Sequence, residues 1–169
     1  MSICAALLPE FDQEMANTRK TLARVPEDKF GWKPHAKSGS LGWLASHIAD
    51  LPGLMFVAVN ENSVDIAPGG KPIARPGAST HQELMERFDA NVARARAALA
   101  EAPDAKLTEI WSLLANGAPI VTLPRSAVIR TLGFSHIIHH RAQLGVYLRL
   151  NDIAVPSIYG PSADEGVSK

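Results

Sequence analysis

Cys4 is the only cysteine among 169 residues, which excludes an internal disulfide and any all-thiolate metal site. A chain built this way reads as cytoplasmic. An excess of either charge is also lacking. With 17 Lys and Arg against 17 Asp and Glu, and no basic run or arginine–aromatic stripe, neither nucleic acid nor an anionic membrane is an expected partner. The opening MSICAALLPEF is apolar but has no basic lead and runs into Glu10, Asp12 and Glu14, so a signal peptide is not expected. No apolar run is expected to reach the length of a membrane span. Internal repeats and low-complexity blocks are missing. At this length, residues 1–169 are expected to form a single domain with a core that needs no covalent staples.

What the chain does have is a concentration of histidine. Thr131 to Asn151, TLGFSHIIHHRAQLGVYLRLN, reads as a helix holding three of the six histidines. At about 100° per residue, His136 and His140 fall within roughly 40° of each other, with Ile129, Leu132, Tyr147 and Leu150 close by. That places the pair at the centre of an inward face, while His139 falls roughly 80° away on the flank. Residues i and i+4 stand about 5–6 Å apart at Cβ, so both rings can converge on one ion. Neutral imidazole suits zinc, nickel, copper or iron, and a catalytic zinc commonly has three protein ligands and an open position. The competing explanation is a pair of hydrogen-bonded core histidines.

The remaining chain supplies a third candidate. Leu7 to Arg24 carries apolar residues at helical spacing, with Pro9 in its first turn and Pro26 closing it. A connector follows, in which Trp32 packs across a helix end, His35 is exposed, and Ser38 or Ser40 caps the next helix. That helix, Leu41 to Asn60, sets His47 on the same side as Leu44, Leu51, Leu54 and Ala58, so His47 also points inward. Asp50, one turn on, is either an acceptor for a ligand ring N–H or a solvated carboxylate. Pro52 is expected to kink or split the helix. Glu61 to Thr80 is rich in Pro and Gly and should be a long crossover without regular structure. Ser79 or Thr80 then caps a third helix, His81 to Glu101, with His81 on the surface. Its Ala-rich second half suggests close approach of a neighbouring helix, within the chain or in a homodimer. Asn116-Gly117 between apolar segments predicts a small two-stranded hairpin or extended excursion before Pro124 introduces the last helix. The tail after Asn151 should be extended, packing Ile158 and Tyr159 on the bundle before becoming disordered.

WKPHAKSGSLGWLASHIADLPG, then WSLLANG, then HIIHHRAQLGVYLRL with PSIYGPSADE, resembles the DinB/YfiT-type family of metal-dependent proteins over essentially the whole chain. The resemblance implies an all-α four-helix bundle in up-down-down-up order, with a divalent metal held by His47, His136 and His140. His139 corresponds to a position not counted as a ligand. Ala142 departs from a frequent glycine of the family and leaves the ligands untouched.

Three readings of function follow. In the first, the chain is a metal-dependent enzyme with zinc or nickel at a three-histidine site whose open position activates a small nucleophile. Relatives in the wider family use an external low-molecular-weight thiol, and Cys4 lies far along the chain from the ligands. A thiol-dependent S-transferase acting on a small-molecule substrate is therefore the leading class, with a metal-dependent hydrolase behind it. Gln143 and Tyr147 are the nearest polar groups able to contact substrate, although Tyr147 also suits a core position with its hydroxyl satisfied. The second reading is a non-catalytic metal-binding or interaction bundle, favoured by a fourth protein ligand. The third is a metal-free bundle with every ring hydrogen-bonded.

Overall fold

The computed structural model describes residues 2–166. The elements are helix α1 (Ile3–Leu22), α2 (Leu41–Asn60), strand β1 (Ser63–Asp65), α3 (His81–Glu101), a short α4 (Asp104–Thr108), β2 (Ile110–Ala115) and β3 (Ala118–Pro124). One last helical rod then begins as α5 (Arg125–Val128), passes through a π-helical segment (Ile129–Ser135) and continues as α6 (His136–Arg149).

Local chemistry accounts for the helix starts. Ser2, Ser40 and Thr80 each accept a hydrogen bond at 3.1 Å from an amide three residues on, satisfying an otherwise orphaned donor of the first turn. Ser2 starts α1 one turn earlier than the apolar spacing predicts, so Pro9 lies inside the helix rather than in its first turn. Pro9 is exposed, where water can satisfy the carbonyl that its missing N–H would have bonded. Pro52 neither splits α2 nor ends it. His81 is not a plain surface residue. Its ring nitrogen meets the Val25 carbonyl at 2.8 Å and its amide donates to Glu27 at 2.8 Å, tying α3 to the chain that follows α1.

Contacts between helices define the bundle. Arg96 pairs with Asp12 and Arg19 with Asp89, so α1 and α3 are antiparallel. Ser46 meets Ala78, Asn91 bonds to the Ala49 carbonyl and Arg94 lies over Phe56, so α2 and α3 run parallel, joined by the crossover 61–80. Glu10 pairs with Arg130 and Glu14 with Arg141, which sets the last rod parallel to α1. The order is up-down-down-up. Phe11, Phe88, Phe134, Trp111 and the leucines of α2 and α3 fill the core.

The crossover is not wholly irregular. β1 pairs in parallel with β2, adding a third strand to the expected hairpin, in the order β1-β2-β3. At the tip Asn116 (φ 52) and Gly117 (φ 77) both take the left-handed conformation that a two-residue hairpin turn demands. The Asp65 carboxylate accepts from the amides of Ala67, Asn116 and Gly117 at 2.9, 3.1 and 2.7 Å, fastening the crossover to that turn. Buried Arg125 donates to the Ala58 carbonyl at 2.8 Å and to Asn62 at 2.8 Å, closing the C-terminal end of α2.

α2 corrects one expectation from sequence. By length and composition it could cross a membrane, but 67% of the qualifying window is buried inside the bundle, as befits a central core helix. The tail is more ordered than predicted. Tyr159 donates to Glu14 at 2.7 Å, while Asp164 and Glu165 reach Arg149 and Arg24. Residues 167–169, where disorder was also expected, lie outside the described residues.

Candidate metal centre

His47 projects from the first half of α2 and His136 and His140 from the start of α6, on antiparallel helices that meet just above a point of close approach. A Cβ at Gly133 would stand 2.6 Å from Met55 Cε and 2.9 Å from its Cγ, so the π-helical segment approaches α2 this closely because position 133 has no side chain. The His136 ring follows directly. π-helical turns inside α-helices recur at functional sites because the extra residue per turn re-aims what comes next.

The three rings converge. The Nε2 atoms of His47 and His136 are 3.3 Å apart and those of His136 and His140 are 2.9 Å apart. Ring centroids lie 4.7–5.0 Å from one another. All three residues are half-buried, and among the described residues this cluster has three members, with one ligand atom each within 4.8 Å of the others. His139 is exposed and only touches the edge of His140.

Electrostatics keep His47 and His136 in their ligand form. Burial, then the neighbouring His140, His136 and Arg75, pushes the His47 pKa down to about 4. Burial and then His140 also lower His136, with the Leu132 carbonyl pulling the other way. Both imidazoles are therefore neutral at pH 7, with a lone pair to offer.

The donor set fits a divalent ion. Nitrogens about 2.0–2.1 Å from one centre, at angles between square and tetrahedral, lie about 2.9–3.4 Å apart, which brackets both Nε2 distances. Without an ion, a proton on His136 Nε2 could bridge to one neighbour. Its lone pair would then move to Nδ1, which is buried and has no hydrogen-bond partner. Keeping Nδ1–H and a free Nε2 avoids stranding that lone pair, and the Leu132 carbonyl, which raises the His136 pKa, can accept a hydrogen bond from the ring but not donate one. At His140, Nδ1 faces Gln143 Oε1 at 2.7 Å, which likewise leaves Nε2 unprotonated.

The residues around the rings are placed as follows. Gln143, expected at the substrate, is engaged through its amide oxygen with His140. Tyr147 packs edge-on to Trp32 with centroids 5.5 Å apart, and its hydroxyl points to the Gly39 carbonyl at 3.4 Å. Asp50 makes no hydrogen bond to a ligand ring and instead faces Arg87 at 3.8 Å. His35 remains exposed, its Nδ1 accepting from the Lys37 amide. Sequence reasoning missed Trp43, which is 52% exposed and stacked on His47 with planes 6° apart and centroids 5.3 Å apart. Its i to i+4 relation to His47 was the available signal. A cleft of about 260 Å³ lined by Trp43, Ser46, His47, Asp50, Ile73 and Arg75 opens beside the rings. Only His47 of the three histidines lines it.

The fold and this site define a class: helical bundles with a histidine cluster shared by their second and last long helices. Residues 10–144 match the DinB superfamily, and the chain belongs to it. Curated proteins give no match. Among solved structures, a DinB-like protein (YjoA) from Bacillus subtilis aligns with TM-score 0.70 at 18% identity, covering 90% of this chain and 96% of that one. A DinB-like protein from Bacillus cereus aligns with TM-score 0.70 at 22% identity over 90% and 95%. The mycothiol-dependent maleylpyruvate isomerase aligns with TM-score 0.58 at 18% identity, covering 86% of this chain and 63% of that one. At these identities the likeness concerns the fold.

Proposed function

We propose that this protein is a metal-dependent enzyme that holds zinc or nickel through His47, His136 and His140 and transfers or adds an external low-molecular-weight thiol to a small electrophilic substrate. The observation that carries the proposal is the convergence of three imidazole nitrogens, with His47 and His136 held in neutral form, without a fourth protein ligand among the described residues. Structural zinc sites usually close with four protein ligands, whereas three leave a position for chemistry. A divalent ion bound there supplies Lewis acidity, lowering the pKa of a thiol or water that reaches it and polarising a carbonyl.

The chain's own residues do the rest. Gln143 fixes the tautomer and tilt of His140, and Trp43 stacks on His47 while forming one wall of the cleft through which a small molecule approaches. The thiol has to come from outside, because Cys4 is buried at the start of α1 and its Sγ donates to the Ala102 carbonyl. Thiol dependence in one structural neighbour supports this choice over hydrolysis.

The test is a panel of low-molecular-weight thiols with electrophilic acceptors, run on zinc- and nickel-loaded protein and on His136→Ala. Thiol consumption that needs both the metal and His136 is expected. Consumption equal in wild type and variant, or none with any acceptor while esters or amides are cleaved, overturns the transferase reading.

A further inference from the structure

α2 and α3 lie side by side, and the crossover passes over the groove between them. A cavity of about 430 Å³ lies there, its lining including Asp50, Gly53 and three arginines, Arg75, Arg87 and Arg94. Arg87 is fully engaged, with Glu83 at 2.8 Å, the Pro76 carbonyl at 2.9 Å and Asp50 at 3.8 Å. Among the described residues, Arg75 and Arg94 make no ion pair or hydrogen bond through their guanidinium groups. Arg94 is nonetheless held in place. Its guanidinium lies over the Phe56 ring at 5.1 Å, and its Nη2 would stand 2.7 Å from a Cβ at position 53, so the bare Gly53 leaves room for it to rest on α2. The three cations face only Asp50 inside the cavity and Glu83 outside it, which leaves positive charge uncompensated.

This cavity adjoins the histidine cleft, since Asp50 and Arg75 line both. Gly53 lies six residues beyond His47 on the same helix, which at 1.5 Å per residue is about 9 Å along its axis. A planar guanidinium pairs with a carboxylate or phosphate through two parallel hydrogen bonds, and a concave wall strengthens its field.

We propose that the small molecule acted on at the three-histidine centre carries an oxyanion remote from its reacting atom, and that Arg75 and Arg94 bind that group. The link to a reacting atom rests on the metal-dependent reading above. The oxyanion subsite is a property of the arginines themselves. Arg75, shared by the two spaces, meets the anion on the side facing the histidines, and Arg94 meets it at the far end.

The test uses calorimetric titration at low ionic strength on metal-free and zinc-loaded protein, with inorganic phosphate, octanoate and the two-headed suberate as probes. Phosphate or a carboxylate is expected to bind metal-free protein and to weaken at least about tenfold in Arg94→Gln and Arg75→Gln. Arg96→Gln, an equal charge change on α3 at a residue paired with Asp12, should leave binding unaltered. Which probe depends on Arg94 identifies the anion as carboxylate or phosphate. Zinc should tighten suberate about tenfold more than octanoate, because only suberate can engage both ends. Equal affinity in Arg94→Gln and Arg96→Gln overturns the subsite even when zinc loads normally. Arginine-dependent binding in a protein that takes up no zinc preserves the subsite and rejects the metal-dependent reading instead.

Discussion

Replacing Gln143 with leucine isolates what one hydrogen bond contributes to the metal centre. The Gln143 amide oxygen sits 2.7 Å from His140 Nδ1, a distance short enough for a strong bond that fixes the ring with Nε2 free to coordinate. Loss of such an outer partner typically weakens metal affinity about 10–100-fold, equivalent to about 1.4–2.8 kcal/mol. Gln143 is exposed, so water can take over part of the acceptor role, and the lower end of that range, about tenfold, is expected here. Leucine suits the helix, so stability should move by less than about 0.5 kcal/mol. Gln143→Glu, with a charged acceptor at the same place, should tighten binding relative to wild type. Chelator-competition titration with zinc reads both variants, and thermal unfolding of metal-free protein checks the fold. Unchanged affinity in Gln143→Leu would refute the orienting role. Complete loss of zinc would refute it in the other direction, by making Gln143 a ligand.

Acid should destabilise the metal-free protein through its histidines. His47, near 4, and His136 both titrate lower in the folded chain than the ordinary value of about 6.5, so on acidification the unfolded chain takes up protons first. Stability from these residues is complete above about pH 6.5 and is lost as pH falls toward about 4; urea midpoints across that window check it, and His47→Gln should flatten the curve. Arg141→Met leaves the Glu14 carboxylate buried without its cation and should cost about 3–5 kcal/mol, lowering Tm by about 6–20 °C. Adding Glu14→Leu to that variant should restore much of the loss in calorimetry; a single variant losing less than about 1 kcal/mol contradicts the assignment.

Several features were legible in the sequence because one local rule decided each. Capping residues and apolar spacing gave α2 and α3 their observed ends, and Asn116-Gly117 placed the hairpin turn. The histidine helix shows where such rules stop. Its buried face is Ile137, Arg141, Leu144 and Leu148, centred roughly 110° from His136 on a helical wheel, so the histidines occupy the flank and not the centre. Two things hid this. The π-helical segment breaks the 100° step between Ile129 and His136, and Arg141, whose charge gives no sign of an inward position, is buried against Glu14, Thr18 and Tyr159. The flank position suits a site that a small molecule must reach. β1 escaped notice because three residues in a stretch rich in Pro and Gly carry too little pattern, and their pairing with β2 is set by a partner nearly fifty positions away.

The most direct test is metal analysis with X-ray absorption on untagged protein loaded with zinc or nickel, repeated on His47→Ala, His136→Ala and His140→Ala. The account predicts one ion per chain bound by three imidazole nitrogens and at least one ligand from outside the protein, with each substitution abolishing stoichiometric binding while helicity is retained. Stoichiometric metal in His47→Ala, or no bound metal in wild type, would contradict it.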